Sequence, residues 1–154
     1  SERELIDRSD HVFSSPRHVR FVEMEYGIPR DALPEAMRRV RDLVKGASEP
    51  IFFPIEVRVS AADDIPLSTA HGRDSAWIAA HVHKGGSYET YFQGIEQIMN
   101  DYIGRPHWGK LHYQTAATLA HRYPEWDAFQ ALRRKLDPTG TFRNAYTDRV
   151  LGSG

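Results

Sequence analysis

Hydrophobic and polar residues alternate along three segments of the chain, a period that predicts β-strands. The predicted strands are His18–Tyr26, Ile51–Ser60 and Ser75–His83. The first is followed by Gly27 and Pro29, which we expect to close it, and the other two are rich in β-branched and aromatic residues.

Apolar residues recur at three- and four-residue spacing between and after these strands, which predicts helices. The first helix has Asp31 as its N-cap and ends before Gly46. The second begins after Ser87 and runs to about Ile103, and Gly104 ends it.

The last third of the chain contains two further predicted helices, one over Thr115–Arg122 and one opened by Pro124. The apolar side of the latter is formed by Trp126, Phe129, Leu132 and Leu136. Strands and helices without a repeated strand–helix–strand phosphate motif predict an α+β fold with a largely antiparallel sheet, covered by helices on one face.

Residues two apart share one face of a strand, so the pattern also divides core from polar positions. In the second and third strands the expected core face carries Ile51, Phe53, Ile55, Val57, Val59, Ala76, Ile78, Ala80 and Val82. The opposite face presents Glu56, Arg58, His81 and His83. In the first strand Glu23 and Glu25 alternate with Val22, Met24 and Tyr26.

Two interpretations of the polar face remain open from this pattern. It is the solvated face of a half-buried antiparallel sheet, which is the common case, or it is the wall of a pocket. One acid, one guanidinium and two imidazoles among small and aromatic residues favour the pocket wall.

Composition narrows the class of protein. The 154 residues suffice for a single domain, and 20 basic against 21 acidic side chains argue against a nucleic-acid-binding surface. The absence of cysteine excludes disulfides and thiolate chemistry. No apolar run is long enough for a membrane span, no leader is apparent and the first residue is not Met. We therefore expect a cytoplasmic protein, and we expect this chain to be part of a longer protein or a processed product.

Histidine and aspartate residues invite a metal interpretation, with candidates His81, His83, His107, His112, Asp63, Asp64 and Asp74. They lack a recognised metal-ligand spacing, so we expect no metal. The glycine motifs of nucleotide-binding loops and of serine hydrolases are also absent, so this chain is not expected to bind a nucleotide by itself.

Five segments, in this order, carry a resemblance to a known family. They are Phe53–Arg58 (FPIEVR), Ala61–Asp64 (AADD), His71–Ser75 (HGRDS), Gly104–Lys110 (GRPHWGK) and Leu136–Tyr146 (LDPTGTFRNAY). Together they resemble the C-terminal domain of the FAD-linked sugar-lactone oxidoreductases, the family of D-arabinono-1,4-lactone oxidase, L-gulonolactone oxidase and the bacterial alditol oxidases. The resemblance runs from about His18 to Leu151.

The resemblance implies that the whole chain is a C-terminal substrate (cap) domain of a two-domain flavoenzyme. An N-terminal domain, absent from this chain, would bind the FAD, and the polar sheet face would form the wall towards substrate and flavin. The substrate would be a sugar lactone or alditol, oxidised at a CH–OH group by hydride transfer to flavin. The electron acceptor, O2 or another, stays open.

The same resemblance assigns residues to the site. Glu56 and Arg58 match the family's E-x-R pair, and Lys110 matches the lysine of H-W-[GA]-K. His81 matches a strand position that lines the pocket. The resemblance implies that all four residues face the substrate. The sites implied towards the cofactor are Lys110, Asn144 and Tyr146.

The chemistry of alcohol oxidation suits these residue types. Arg58 and Lys110 would stabilise a developing alkoxide, and either His81 or Glu56 would take the proton. His107 and Trp108 are expected to be structural, shaping the loop that presents Lys110. Two alternatives remain: a non-catalytic α+β module that binds a ligand or partner, and a histidine-ligated metalloenzyme.

Overall fold

The computed structural model describes residues 6–12, 14, 18–48 and 50–153, which form an open antiparallel sheet with helices. The strands are β1 (Phe21–Pro29), β2 (Glu56–Ser60), β3 (Ser75–His83) and β4 (Arg105–Pro106). The helices are α1 (Ser9–Val12), α2 (Leu33–Lys45), α3 (Glu89–Asn100), α4 (Ala116–Ala120), α5 (Trp126–Leu136) and α6 (Ala145–Leu151). The sheet order is β2-β3-β1-β4 with every pair antiparallel, so the predicted α+β class is confirmed.

The main core lies between the two central strands and helices α2 and α3. Its fully buried side chains are Met24, Tyr26, Ile28, Ala36, Ala76, Ile78, Ala80, Phe92, Ile95 and Met99. The register pairs Glu23 with His81 and Glu25 with Ala79, so these positions face away from the helices. The predicted division of β1 and β3 into an apolar and a polar face is therefore confirmed.

Strand β2 differs from the prediction in length and in burial. It begins at Glu56 instead of Ile51, because Pro50 and Pro54 cannot donate to a strand ladder. It is also an edge strand, and Val57 and Val59, predicted as core, are 40% and 53% exposed. The prediction of a buried apolar face was wrong for these two valines.

Strand β1 and helix α2 begin later than predicted. Gly27 does not close β1, because it pairs with both Trp77 and Arg105 inside the sheet. Asp31 is not the N-cap of α2, because a 3-10 turn over Arg30–Ala32 precedes the helix. These shifts leave the faces of both elements unchanged.

Helix α3 is shorter than predicted, since it ends at Asn100 instead of about Ile103. Ile103 has a positive φ of 51° and the Gly104 amide donates to the Met99 carbonyl at 2.9 Å, which turns the chain into β4. Contrary to the prediction, Gly104 therefore does not end the helix itself but takes part in the turn that follows it.

The last third of the chain forms a second, smaller core. Leu119, Tyr123, Trp126 and Val150 are buried there, and Trp108 packs against them. Helix α6 was not predicted, and Leu132 and Leu136 of α5, predicted on its apolar side, are 52% and 72% exposed. Among the described residues, none of the helices is long and apolar enough to cross a membrane.

Candidate active site

The segment 107–111, called here the Lys110 loop, follows β4 and runs along the same edge of β1. It is attached to that strand at both ends, since the His107 amide donates to the Glu25 carbonyl and the Leu111 amide to the Glu23 carbonyl, each at 2.9 Å. The Lys110 amide donates to the His107 carbonyl at 3.1 Å. The backbone of the loop therefore brings Lys110 to the two acidic side chains of β1.

Other side chains of the loop shape it. The Gly109 amide donates to His107 Nδ1 at 3.0 Å, and the Trp108 indole donates to the Leu67 carbonyl at 3.0 Å. These contacts agree with the structural role expected for His107 and Trp108.

Glu25 lies at the centre of the polar face, only 1% exposed. Arg58 Nη2 donates to its two carboxylate oxygens at 2.6 and 2.7 Å, and Lys110 Nζ donates to Oε2 at 2.5 Å. Ala79 of β3 pairs with both Glu25 and Glu56, and its small side chain leaves room for Arg58 to reach across the sheet. A buried carboxylate thus joins two cations from distant parts of the chain.

The ionisation of Glu25 follows from these contacts. Burial by itself raises the pKa of the carboxyl, but the hydrogen bonds and charges of Lys110 and then Arg58 outweigh it. The net pKa of Glu25 is lowered from its usual value, so the carboxylate stays charged between its two partners.

A second carboxylate, Glu23, connects Lys110 to His81. Glu23 Oε2 lies 3.0 Å from Lys110 Nζ and 3.2 Å from His81 Nε2. The His81 ring packs edge-on against Phe21, with centroids 5.2 Å apart. Side-chain exposure is 13% for Lys110 and 11% for His81, so both sit in the wall of the sheet and not on its open surface.

Glu56 and Arg58 form the outer rim of this wall. Their side chains are 50% and 53% exposed, and Glu56 Oε1 lies 3.4 Å from Arg58 Nε. The main partner of Arg58 is Glu25, and Glu56 on its own strand is a more distant second partner. Alternation along β1 places Glu25 on the polar face, but no motif marks it as a site residue. The available signal was its alternation with Met24 and Tyr26.

Besides Lys110, the two other residues implied towards the cofactor, Tyr146 and Asn144, are placed differently. Tyr146 lies beside the Lys110 loop, where its hydroxyl donates to the Trp108 carbonyl at 2.5 Å. Asn144 accepts from the Thr147 amide at 3.0 Å and is the N-cap of α6. The structure thus brings Tyr146 to the loop, while the contacts of Asn144 are those of a helix cap.

A cleft of about 540 Å³ opens beside Lys110. Its walls include the aromatic side chains of Tyr88, Trp108 and Tyr146, with Glu23 and Arg149 also lining it. It combines aromatic surfaces with the charged groups of Glu23, Lys110 and Arg149.

The candidate metal ligands do not come together. His107 Nδ1 accepts from the Gly109 amide, Asp63 accepts from Ser68, and Asp74 accepts from the Ala62 amide. Over the described parts of the chain, no three His, Asp or Glu side chains are grouped so that they could hold a metal ion.

One face of the antiparallel sheet is thus a polar wall in which the buried carboxylate of Glu25 holds two cations, Lys110 and Arg58. The chain belongs to the D-arabinono-1,4-lactone oxidase family, whose model matches residues 1–150. The resemblance stated from the sequence motifs is thereby confirmed.

Individual relatives carry related names. The chain is 60% identical over 146 residues to L-gulono-1,4-lactone dehydrogenase of Mycobacterium tuberculosis, covering 95% of this chain and 34% of that protein. It is 31% identical over 155 residues to L-gulonolactone oxidase of Bos taurus (97% and 35% covered). It is 37% identical over 137 residues to alditol oxidase of a Streptomyces species (84% and 31% covered). The chain thus spans about a third of the length of these relatives.

Proposed function

We propose that this chain is the C-terminal substrate domain of an FAD-dependent oxidoreductase that oxidises a CH–OH group of a sugar 1,4-lactone or alditol. The names of its relatives, a lactone dehydrogenase, a lactone oxidase and an alditol oxidase, support this reaction class. The partners in this proposal are an N-terminal FAD-binding domain and an electron acceptor, either O2 or another. The proposed location remains the cytoplasm.

The observation that carries the proposal is the joint anchoring of Lys110 and Arg58 on buried Glu25. The two cations reach one carboxylate from the Lys110 loop and from the edge strand β2. Such a fixed pair of N–H donors is preorganised to bind a hydroxyl oxygen and to stabilise negative charge that develops on it. The guanidinium of Arg58 is half-exposed at the rim, so a ligand can reach it.

The cleft beside Lys110 fits the isoalloxazine part of FAD. Aromatic walls at Trp108 and Tyr146 suit a flat ring, and the cations Lys110 and Arg149 offer N–H donors to ring carbonyls. The bound flavin would supply the hydride-accepting chemistry. In this proposal Lys110 and Tyr146 contact the cofactor directly, whereas Asn144 acts by capping the helix that carries Tyr146.

His81 is the proposed proton acceptor. Glu23 on the Nε2 side favours the tautomer with hydrogen on Nε2, which leaves Nδ1 as the basic atom. Nδ1 would take the hydroxyl proton while Lys110 and Arg58 hold the oxygen. Glu56, exposed at the rim, would bind a more distant substrate hydroxyl and help to orient Arg58.

Removing either cation tests the proposal. In the full-length protein, Lys110→Ala or Arg58→Ala should lower turnover of L-gulono-1,4-lactone or an alditol by about 10²-fold or more. The flavin absorbance spectrum should persist, because FAD is bound mainly by the other domain.

Matched controls are Lys135→Ala and Arg134→Ala, which remove exposed cations from α5. These two variants should retain turnover close to that of the parent protein. Near-parental turnover in both Lys110→Ala and Arg58→Ala would contradict the proposal and favour a binding module without catalytic function.

A further inference from the structure

Tyr146, on the first turn of α6, makes a hydrogen-bond chain that ends on the Lys110 loop. Its hydroxyl lies 2.5 Å from the Trp108 carbonyl and 3.1 Å from His112 Nε2. A carbonyl can only accept, so the single hydroxyl hydrogen of Tyr146 is directed at Trp108. His112 Nε2 must then donate to the Tyr146 oxygen, which fixes the histidine tautomer.

The surroundings of His112 keep this tautomer in place. The side chain is 4% exposed, and Nδ1 has no hydrogen-bond partner among the described residues. Burial and then the charge of Arg149 lower the pKa of His112 to about 4, so the ring is neutral at ordinary pH. Leaving Nδ1 of His112 buried without a hydrogen-bond partner costs stability. The ring keeps this arrangement while Nε2 donates to the Tyr146 hydroxyl.

Arg149, on the same helix, ties α6 to the chain that follows the loop. Its guanidinium Nη1 donates to the His112 and Gln114 carbonyls at 3.1 and 2.6 Å, and its guanidinium carbon lies 5.3 Å from the centre of the Tyr146 ring. The Tyr146 side chain is thus held from one side by Arg149 and from the other by His112. Helix α6 contacts the Lys110 loop at Trp108 and the segment after it at His112.

We propose that Tyr146 is a positioning residue for Lys110, with its hydroxyl oriented onto the Trp108 carbonyl by His112. Trp108 lies two residues before Lys110, so this hydrogen bond limits the movement of the loop backbone that carries the lysine. The inference rests on the proposed role of Lys110 and extends it to two residues of the C-terminal third. The ring of Tyr146 lines the cleft proposed for the flavin, whereas its hydroxyl and His112 act on Lys110 only through the loop backbone.

The test compares hydroxyl and donor deletions in the full-length holoenzyme. Tyr146→Phe keeps the ring, His112→Leu removes the donor, and His112→Gln retains an N–H donor near the position of Nε2. We expect kcat to fall about three- to tenfold in Tyr146→Phe and in His112→Leu, with KM little changed. His112→Gln should recover most of kcat, and the double variant Tyr146→Phe/His112→Leu should be no worse than either single one.

Hydrogen exchange gives a readout that does not depend on activity. The amides of Lys110 and Leu111 should exchange about three- to tenfold faster in Tyr146→Phe, while those of β1 and β3 keep the parental rate. Tyr102→Phe is the matched control, because its hydroxyl meets Arg39 away from the loop. Unchanged loop exchange in Tyr146→Phe, or loss of kcat in His112→Gln equal to that in His112→Leu, would overturn the inference. If loop exchange rises but Lys110→Ala is fully active, the positioning stands and the proposed function fails.

Discussion

Glu25 is the residue on which the geometry of the candidate site depends. A carboxylate that is 1% exposed is stable only if its charge is compensated, and Lys110 and Arg58 provide that compensation. Their positions are consequently fixed before any ligand binds. Fixed donors are what a site requires in order to favour a developing charge over a neutral ground state.

Replacing Glu25 should therefore reduce stability as well as activity. Glu25→Gln leaves Lys110 and Arg58 without their shared buried partner, and we expect a loss of about 3 kcal/mol in the free energy of unfolding at neutral pH. Urea unfolding followed by tryptophan fluorescence measures it. Glu56→Gln, at a half-exposed acid that meets the same Arg58, should cost less than about 1 kcal/mol. An equal cost for both would contradict the central role of Glu25.

The stability contributed by Glu25 should also depend on pH in a defined direction. Its pKa is lowered in the folded chain from the ordinary value of 4.5, so the contribution is fully present above 4.5 and is lost as pH falls through the lowered value. The difference in unfolding free energy between the parent protein and Glu25→Gln should accordingly narrow as the solution is acidified below pH 4.5. A difference that is constant or widens on acidification would be inconsistent with a charged, paired Glu25.

At the scale of elements, the site depends on how α3 passes into β4. A Cβ placed on Gly104 would lie 2.7 Å from the Met99 carbonyl oxygen and 3.1 Å from the Tyr26 ring, in the wall of the main core. The glycine therefore permits a close approach that sets where β4, and the Lys110 loop after it, begin.

Gly104→Ala should destabilise the fold by about 1–3 kcal/mol, because the added methyl group meets backbone and a buried ring. Gly46→Ala is the control, since at the C-terminal end of α2 the added methyl group would lie 3.4 Å from the nearest atom, the Asp42 carbonyl oxygen. Thermal unfolding of the two variants gives the comparison. Equal melting temperatures would show that the contact at Gly104 can relax.

The elements that could be predicted from sequence are those with a strong local pattern. Strand β3 was predicted with its observed bounds, and the faces of β1 were correct although its ends moved. The burial of strand β2 was overestimated, because alternation cannot show whether a helix covers the strand. At this edge of the sheet Val57 and Val59 are exposed. Helix α6 has only 7 residues and a short apolar pattern, so packing onto the second core, and not periodicity, determines it.

At the scale of the whole molecule, the two faces of the sheet differ: one packs in the hydrophobic core and the other carries the candidate site. One face is buried under α2 and α3, whereas the other carries acids, a guanidinium and imidazoles and is reached by the side chain of Lys110 from the sheet edge. The second core, built from α4, α5 and α6, packs against Trp108 of that loop. Both hydrophobic cores thus contribute to the position of one lysine.

Only part of the site could be read from the sequence. Arg58 and Lys110, 52 residues apart by their numbers, came from motif resemblance, and the polar face came from alternation. Their meeting at Glu25 depends on β3 lying between β1 and β2, with Ala79 leaving space across it. Pairing order and register are tertiary properties, so no local pattern could have selected Glu25 over Glu23.

The most direct test of the central claim is anaerobic stopped-flow mixing of the full-length protein with a sugar 1,4-lactone, following the loss of oxidised flavin absorbance. This measurement isolates the substrate-oxidation step from the later transfer of electrons to an acceptor. We expect rapid bleaching in the parent protein and bleaching at least about 10²-fold slower in Lys110→Ala/Arg58→Ala. Equal bleaching rates in the two proteins would contradict the claim that this polar wall acts on the substrate.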